Sequence, residues 1–121
     1  MQRLPDERER LGRAKKRLDG LALYPRPVSL QRVRVVVAPE LFRLPLLRRY
    51  VGYALWRTIL VRDASASDDL LTHELCHVWQ AQNRPFAQLF AWARYPYLEN
   101  PFEREARGAV ERTRVGAASQ G

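Results

Sequence analysis

The chain has 121 residues, 46% of them hydrophobic, and a formal net charge of +8, which predict one modest core in a single basic domain. Its lone cysteine excludes an internal disulfide and fits a reducing compartment such as the cytoplasm. The charged first residues lack the apolar stretch of a secretory signal, and arginines interrupt the most apolar region, so we expect neither a signal peptide nor a membrane-spanning helix.

The chain begins with a predicted amphipathic helix over residues 6–18. This segment is rich in helix formers, and Leu4, Leu11 and Leu18 recur at heptad spacing, so one face can dock on the domain or on a partner. Gly20 ends the helix. We therefore expect an N-terminal helix in residues 1–20, a core in residues 21–115 and a disordered tail in residues 116–121.

Two strands are predicted to follow. The β-branched residues 33–37 form the first strand, which Pro39 stops, and residues 54–61 form the second. Residues 40–50 between them predict either a short helix broken at Pro45 or an irregular flap. The expected fold is a small α+β domain in which a short sheet precedes the helices of the C-terminal half.

The most informative segment is a His-Glu-Leu-Cys-His motif that contains both histidines of the chain, His73 and His77. Residues four apart lie on the same face of an α-helix, so the two imidazoles can bind one tetrahedral metal ion. Glu74 lies beside them, where a general base can take a proton from a water molecule that a zinc ion activates. The pattern therefore predicts a catalytic Zn²⁺ site.

The residues around the motif predict that it lies on a helix. Ser67 is a suitable N-cap, and two aspartates follow it in the first turn. Apolar residues recur at helical spacing on the side opposite the histidines: Leu71, Leu75, Val78 and Trp79. Cys76 lies on the flank of the metal face and is expected to be a small buried residue rather than a fourth ligand.

A carboxylate is expected to complete the metal site, because a catalytic zinc ion commonly takes three protein ligands and the chain has no third histidine. After a helical piece over residues 86–94 and a turn, a further helix is predicted with Asn100 as N-cap and Pro101 at its first position. Glu103 and Glu105 flank the apolar stripe of this helix on opposite sides. Periodicity does not choose between them.

Residues 73–80 (HELCHVWQ) and 100–106 (NPFEREA) resemble the small bacterial zincin-type peptidases of the gluzincin group, including the minimal one-domain forms called minigluzincins. The resemblance covers residues 33–114 and implies a zincin-like domain, a bound zinc ion and hydrolysis of a peptide or protein substrate. The third ligand of that group stands in a Glu-x-x-Ala context, which matches Glu103 and Ala106 and favours Glu103. The group often has Asp or Asn after this alanine, where the present chain has Arg107.

The resemblance also implies where a substrate would lie. In zincins the strand before the metal helix commonly forms the upper rim of the cleft and pairs with an extended peptide. The rim residues expected here are Trp56, Thr58 and Ile59. A phenol often helps to hold the oxyanion, and the candidates are Tyr53, Tyr95 and Tyr97. The N-terminal helix or the C-terminal segment could cover the cleft and keep such a peptidase latent.

The net charge supports an alternative function. Positive charge concentrates in residues 20–62, ahead of the motif, and could attract nucleic acid, an anionic membrane surface or an acidic substrate. An arginine-rich surface without a special role explains it equally well. The alternative is a non-catalytic basic adaptor in which zinc is structural and in which aromatic residues between the arginines, such as Tyr50 and Trp56, contact a nucleic acid.

Overall fold

A mixed four-stranded sheet and four α-helices make up the part of the chain that the computed structural model describes, residues 2–45, 47–48 and 50–114. The strands are β1 (Gln2–Arg3), β2 (Arg34–Val37), β3 (Gly52–Leu55) and β4 (Thr58–Val61). The helices are α1 (Glu7–Asp19), α2 (Asp68–Asn83), α3 (Pro85–Arg94) and α4 (Pro101–Thr113). The predicted α+β class is confirmed. The predicted tail, residues 116–121, lies outside the described residues.

The sheet has the strand order β1-β2-β4-β3. Strands β2 and β4 are parallel, and β1 and β3 run antiparallel to their neighbours. The prediction of a single strand over residues 54–61 is wrong, because Trp56 and Arg57 form a turn between β3 and β4. Trp56 adopts a left-handed conformation with φ of 59°. A two-residue turn normally signals itself with glycine or asparagine, and neither is present here.

Strand β3 turns part of its backbone toward an open edge. The carbonyl of Val51 accepts the N–H of Arg62 at 3.0 Å, and hydrogen-bonded pairs alternate with non-bonded pairs along an antiparallel ladder. The backbone groups of Gly52 and Ala54 therefore point away from β4. Within the described part of the chain, β3 has no strand on that side.

Helix α1 is part of the core. Leu4, Leu11 and Leu18 are buried as their heptad spacing predicts, and α1 packs chiefly against α2. A hydrogen bond joins the start of the helix to the sheet: Oε2 of Glu7 accepts the backbone N–H of Val35 at 2.7 Å. The prediction that this helix docks on the domain is therefore confirmed.

Helices α2 and α4 begin at the predicted caps. The Ser67 hydroxyl accepts the backbone N–H of Leu70, and the Asn100 side chain accepts the backbone N–H of Phe102. The predicted apolar residues of α2 are fully buried: Leu71, Leu75, Val78 and Trp79. Those of α4 are buried as well: Phe102, Ala106, Ala109 and Val110. The two helices pack against each other, and this contact brings their polar faces together.

The segment between β2 and β3 contains one short 3-10 turn, Leu41–Arg43, and otherwise has turns in its described residues. The short 3-10 turn ends before Pro45, as the alternative of a broken helix predicts, and the other described residues are irregular, as the alternative of a flap predicts. No helix in the described ranges combines the length and the apolar character that crossing a bilayer requires.

Candidate metal centre

The contact between α2 and α4 brings three predicted ligands together. His73 and His77 lie on successive turns of α2, and Glu103 lies in the first turn of α4. Nε2 of His73 is 2.7 Å from Oε1 of Glu103, and Nε2 of His77 is 2.9 Å from Oε2. The three groups offer ligand atoms that all lie within 4.8 Å of one another. They could hold one metal ion.

The structure distinguishes Glu103 from Glu105, which periodicity did not. Residues two apart differ by about 200° around a helix, so the two side chains leave α4 on opposite sides. Glu103 is 1% exposed and faces the imidazoles, whereas Glu105 accepts hydrogen bonds from the hydroxyl of Tyr24 at 2.6 Å and from Nε2 of Gln80 at 3.0 Å. Glu105 therefore serves the packing of α4.

Gln80 fixes the protonation pattern of His77. Nε2 of Gln80 donates to the carbonyl of Phe102 at 2.8 Å, so its Oε1 is the atom that lies 2.8 Å from Nδ1 of His77. An amide oxygen only accepts, and Nδ1 must therefore carry the hydrogen. In neutral His77 this leaves a lone pair on Nε2, directed at the Glu103 carboxylate.

Two lone pairs that face each other at 2.9 Å require a positive charge between them. A proton on Nε2 would supply it, and so would a metal ion. The two imidazoles hold the pKa of Glu103 well below its usual range although burial alone would raise it. Burial lowers the pKa of His77, but Glu103 and Glu74 outweigh it and raise that pKa above its ordinary value.

The donor set suits a divalent transition metal. Two imidazoles and one carboxylate form the protein ligands of many catalytic zinc sites, and the same set also binds non-haem iron. The orienting contact from Gln80 to His77 is of the kind that commonly supports a metal-binding imidazole. Cys76 does not belong to the group: it is fully buried, as predicted, and burial raises the pKa of its thiol.

Glu74 lies beside the three ligands and is 5% exposed. Burial raises the pKa of this carboxyl above its ordinary value, and the neighbouring imidazoles only partly oppose that effect. Gly52 of β3 faces it closely, since a Cβ at residue 52 would lie 3.4 Å from Cγ of Glu74. The strand therefore approaches the site through a residue without a side chain.

The three predicted tyrosines have different positions. The hydroxyl of Tyr97 donates to Oε1 of Glu103 at 3.0 Å, and Tyr53 lines the small space next to Glu74. Tyr95 is not brought to the site: it is 42% exposed, and its ring lies under the guanidinium of Arg94. Tyr95 and Tyr97 therefore lie in different regions, although a single residue separates them.

Several residues at the site were not predicted. Trp92 of α3 lies against His77 with 5.9 Å between ring centroids, and Tyr50 lies 5.2 Å from Tyr97. Gln80 could have been found from its spacing, since it follows His77 by three residues on the same helix. Arg107, four residues after Glu103, has its Nε 3.9 Å from Oε1 of that ligand, and its Nη2 donates to the carbonyl of Leu98 at 3.0 Å.

Two spaces adjoin the site, and Tyr50, Gly52, Glu74 and Tyr97 line both of them. The smaller one, which β3 and the rings of Tyr53 and Trp92 also border, has a volume of about 10 Å³, about the least that can hold one water molecule. The larger one has a volume of about 560 Å³, and His73 also lines it. A ligand would therefore reach the metal centre from this cavity. Helix α1 contributes no residue to the lining of either space.

The predicted rim requires correction. Ile59 is fully buried, and β4 pairs with β2 on one side and β3 on the other, so neither Ile59 nor Thr58 lies on a free edge. Trp56 is exposed but lies in the turn rather than in a strand. The edge that borders the site belongs to β3, because the undetected turn reverses the chain before β4.

The chain matches no protein family, no curated protein and no solved structure. The resemblance to gluzincin peptidases therefore stays a prediction. What the centre can do follows from its own geometry.

Proposed function

We propose that this protein is a zinc-dependent peptidase that hydrolyses peptide bonds with Glu74 as general base. The observation that supports the proposal is the convergence of His73, His77 and Glu103 next to a buried carboxyl group and an open cavity. A purely structural metal site is normally closed by four protein ligands, and only three converge among the described residues.

Zinc is the proposed ion because two imidazoles and a carboxylate match its catalytic ligand sets. When bound, zinc polarises a carbonyl group and lowers the pKa of a water molecule to roughly 7. His77 is prepared for this role, since Gln80 fixes its tautomer with Nε2 free. Tyr97 and Arg107 hold Glu103 from the other side.

Glu74 would move the proton. Its pKa is raised by burial, and a carboxyl group with a pKa shifted toward neutrality is suited to accept a proton and to release it again. In the proposed reaction Glu74 takes the proton of the attacking water and delivers it to the leaving amine. One carboxyl group thereby serves both halves of the hydrolysis.

An extended substrate would pair with β3. The backbone groups of Gly52 and Ala54 lie on the edge of β3 that has no neighbouring strand among the described residues, and this edge borders the site. Peptides commonly bind proteins by adding a strand to such an edge. The absence of a large side chain at both residues lets a peptide backbone come close to Glu74.

The basic adaptor remains the second candidate, and exposed arginines favour it. Three exposed arginines lie near the β3–β4 turn. Arg57 is in this turn, Arg34 begins β2 at the same end of the sheet, and Arg26 is in the loop that lines a cavity with the turn. In that case the metal would only hold α2 and α4 together. The two candidates differ in their dependence on Glu74.

Two measurements test the proposal. Metal analysis of the purified chain should find about one zinc ion per molecule, which Glu103→Gln loses and the matched variant Glu105→Gln keeps. A proteome-derived peptide mixture should then show new cleavage sites with the wild type and none with Glu74→Gln, although this variant retains its zinc. Zinc binding with identical peptide profiles for wild type and Glu74→Gln would refute the peptidase and favour the adaptor.

A further inference from the structure

A second cavity, of about 360 Å³, lies beside the β3–β4 turn. Its walls come from this turn, from the loop that contains Arg26 and from the C-terminal half of α2. Among the described residues, the lining includes the guanidinium-bearing residues Arg26 and Arg57 and no acidic residue. Neither guanidinium has a hydrogen bond or an ion pair in residues 2–45, 47–48 and 50–114. The cavity therefore presents two positive charges that no described residue neutralises.

Trp56, which lines this cavity, is a residue that the fold does not require at this position of the turn. Its φ of 59° is uncommon for a large aromatic residue, and its side chain is 61% exposed. Glycine would adopt the same turn without strain. A strained residue that contributes little to the core is typical of a functional position.

Strand β3 with its turn and helix α2 contribute residues both to the metal centre and to this cavity. Gly52 is next to Glu74, Ala54 and His77 line the same small space, and Trp56 shares its cavity with Ala81. Strand β3 thus runs alongside α2 from one site to the other. Ala81 lies one helical turn, about 6 Å, beyond His77. Trp56 in the turn follows Ala54 by two residues, which span at most about 7 Å.

We propose that this cavity is a subsite that binds an acidic side chain of an extended peptide substrate. The inference rests on the proposed peptidase function and adds the class of substrate. A peptide that pairs with Gly52 and Ala54 advances about 3.3 Å per residue, so two or three residues carry it past Ala54 to the level of Trp56 and Arg57, whose cavity Arg26 also lines. The two guanidinium groups pair with its carboxylate, and the indole of Trp56 covers its aliphatic part.

The free edge of β3 favours a peptide over a nucleic acid as the ligand. Only a peptide backbone can continue the hydrogen-bonding pattern of Gly52 and Ala54 while its side chain enters the cavity. An oligonucleotide could use the arginines and Trp56 but would leave this edge unpaired. The two ligands therefore differ in a way that binding measurements can detect.

The test uses the full chain with zinc and the Glu74→Gln substitution, which binds peptides without cleaving them if the proposed function is right. The probes are fluorescein-labelled octapeptides of Ala, Thr and Val that carry one Glu or one Gln at each position in turn. At one position we expect Glu to bind at least about tenfold more tightly than Gln in fluorescence anisotropy. Arg57→Gln should reduce this preference to less than about threefold, and the matched variant Arg34→Gln should preserve it.

Trp56→Gly provides a second and independent readout. It should weaken binding of the Glu peptide while the midpoint of thermal unfolding stays equal or rises, because glycine relieves the left-handed backbone. Reduced binding that follows only from unfolding would contradict the proposal.

Several outcomes would overturn the subsite. One is equal affinity for all Glu and Gln peptides. Another is a loss of the preference for Glu that is equally large in Arg34→Gln and Arg57→Gln. A third is that labelled octathymidylate binds in place of the peptide and that this binding depends on Arg57. Peptide cleavage by the wild type without any preference for Glu would overturn the subsite and leave the peptidase standing. A preference for Glu in binding, with no cleavage by the wild type, would refute the peptidase while the acidic subsite stands.

Discussion

Gln80 orients His77: its Oε1 lies 2.8 Å from Nδ1 of the imidazole, while its Nε2 donates to the carbonyl of Phe102 at the start of α4. One amide thus joins the metal ligand on α2 to the helix that carries Glu103. We expect Gln80→Leu to lower zinc affinity about 10- to 100-fold, because Nδ1 loses its acceptor and the ring its fixed orientation.

Competition with a chromophoric chelator would measure this loss. Gln82→Ala is the matched control, since Gln82 lies on the same helix and, among the described residues, its side chain bonds only to Ser29. Unfolding of the metal-free forms should be recorded in parallel, because Gln80 is buried and its loss also reduces stability. An unchanged zinc affinity in Gln80→Leu would show that the amide has no orienting role.

Gly52 is expected to control the position of Glu74. A Cβ at residue 52 would lie 3.0 Å from Cδ1 of Leu70 and 3.4 Å from Cγ of Glu74. Gly52→Ala should therefore displace the general base and reduce kcat for peptide hydrolysis by about tenfold or more, at a cost in stability of about 1 to 3 kcal/mol.

Gly108→Ala is the control for Gly52→Ala, because a Cβ at this helical residue of α4 meets no atom within 4 Å. It should keep kcat and stabilise the fold by up to about 1 kcal/mol. Steady-state kinetics and denaturant unfolding would measure both variants. If Gly52→Ala keeps the wild-type kcat, close packing of β3 against Glu74 is not needed for the reaction.

The ionised form of Glu7 is expected to stabilise the fold. Burial disfavours its charge, but the ion pair with Arg3 and the N–H of Val35 outweigh this and lower its pKa below the ordinary value of 4.5. The stabilisation is therefore complete above that value and is lost as the pH falls through the lower pKa of the folded state.

Glu7→Gln should cost about 1 to 3 kcal/mol at neutral pH, and its difference from wild type should shrink as the pH falls below 4.5. Urea unfolding at several pH values would measure the difference. Glu9→Gln is the control, since the side chain of Glu9 is 73% exposed. A difference for Glu7→Gln that stays constant down to acid pH would contradict the role of its charge.

Helix α1 is expected to fold with the rest of the domain. Leu11 is fully buried against the core, so Leu11→Ala should destabilise the protein by about 2 to 5 kcal/mol. Leu89→Ala should change stability by no more than about 0.5 kcal/mol, because Leu89 is 60% exposed. If Leu11→Ala has the same free energy of unfolding as the wild type, α1 instead detaches from the core without loss of stability.

The sequence predicted those features that depend on local periodicity. His73 and His77 share a helical face by spacing alone, and the caps at Ser67 and Asn100 mark the starts of α2 and α4. The buried stripes of α1, α2 and α4 also follow from periodicity. These features need no knowledge of the tertiary structure.

Features that depend on tertiary contact could not be predicted in the same way. The turn at Trp56 was hidden in a run of strand-forming residues, so the edge of the sheet was assigned to β4 instead of β3. The choice of Glu103 over Glu105 depends on how α4 is rotated against α2, which periodicity leaves open. Trp92 reaches His77 only because α3 folds back after Arg84.

The burial of Cys76 has a practical consequence. Cys76 stands between the two histidine ligands in the sequence of α2, but its thiol lies in the hydrophobic core, and burial raises its pKa, so alkylating reagents can react only when the helix opens. Since the chain has a single cysteine, the rate of alkylation reports this opening without any engineered label. A comparison of that rate with and without a chelator would measure directly how strongly a bound ion keeps the two helices closed.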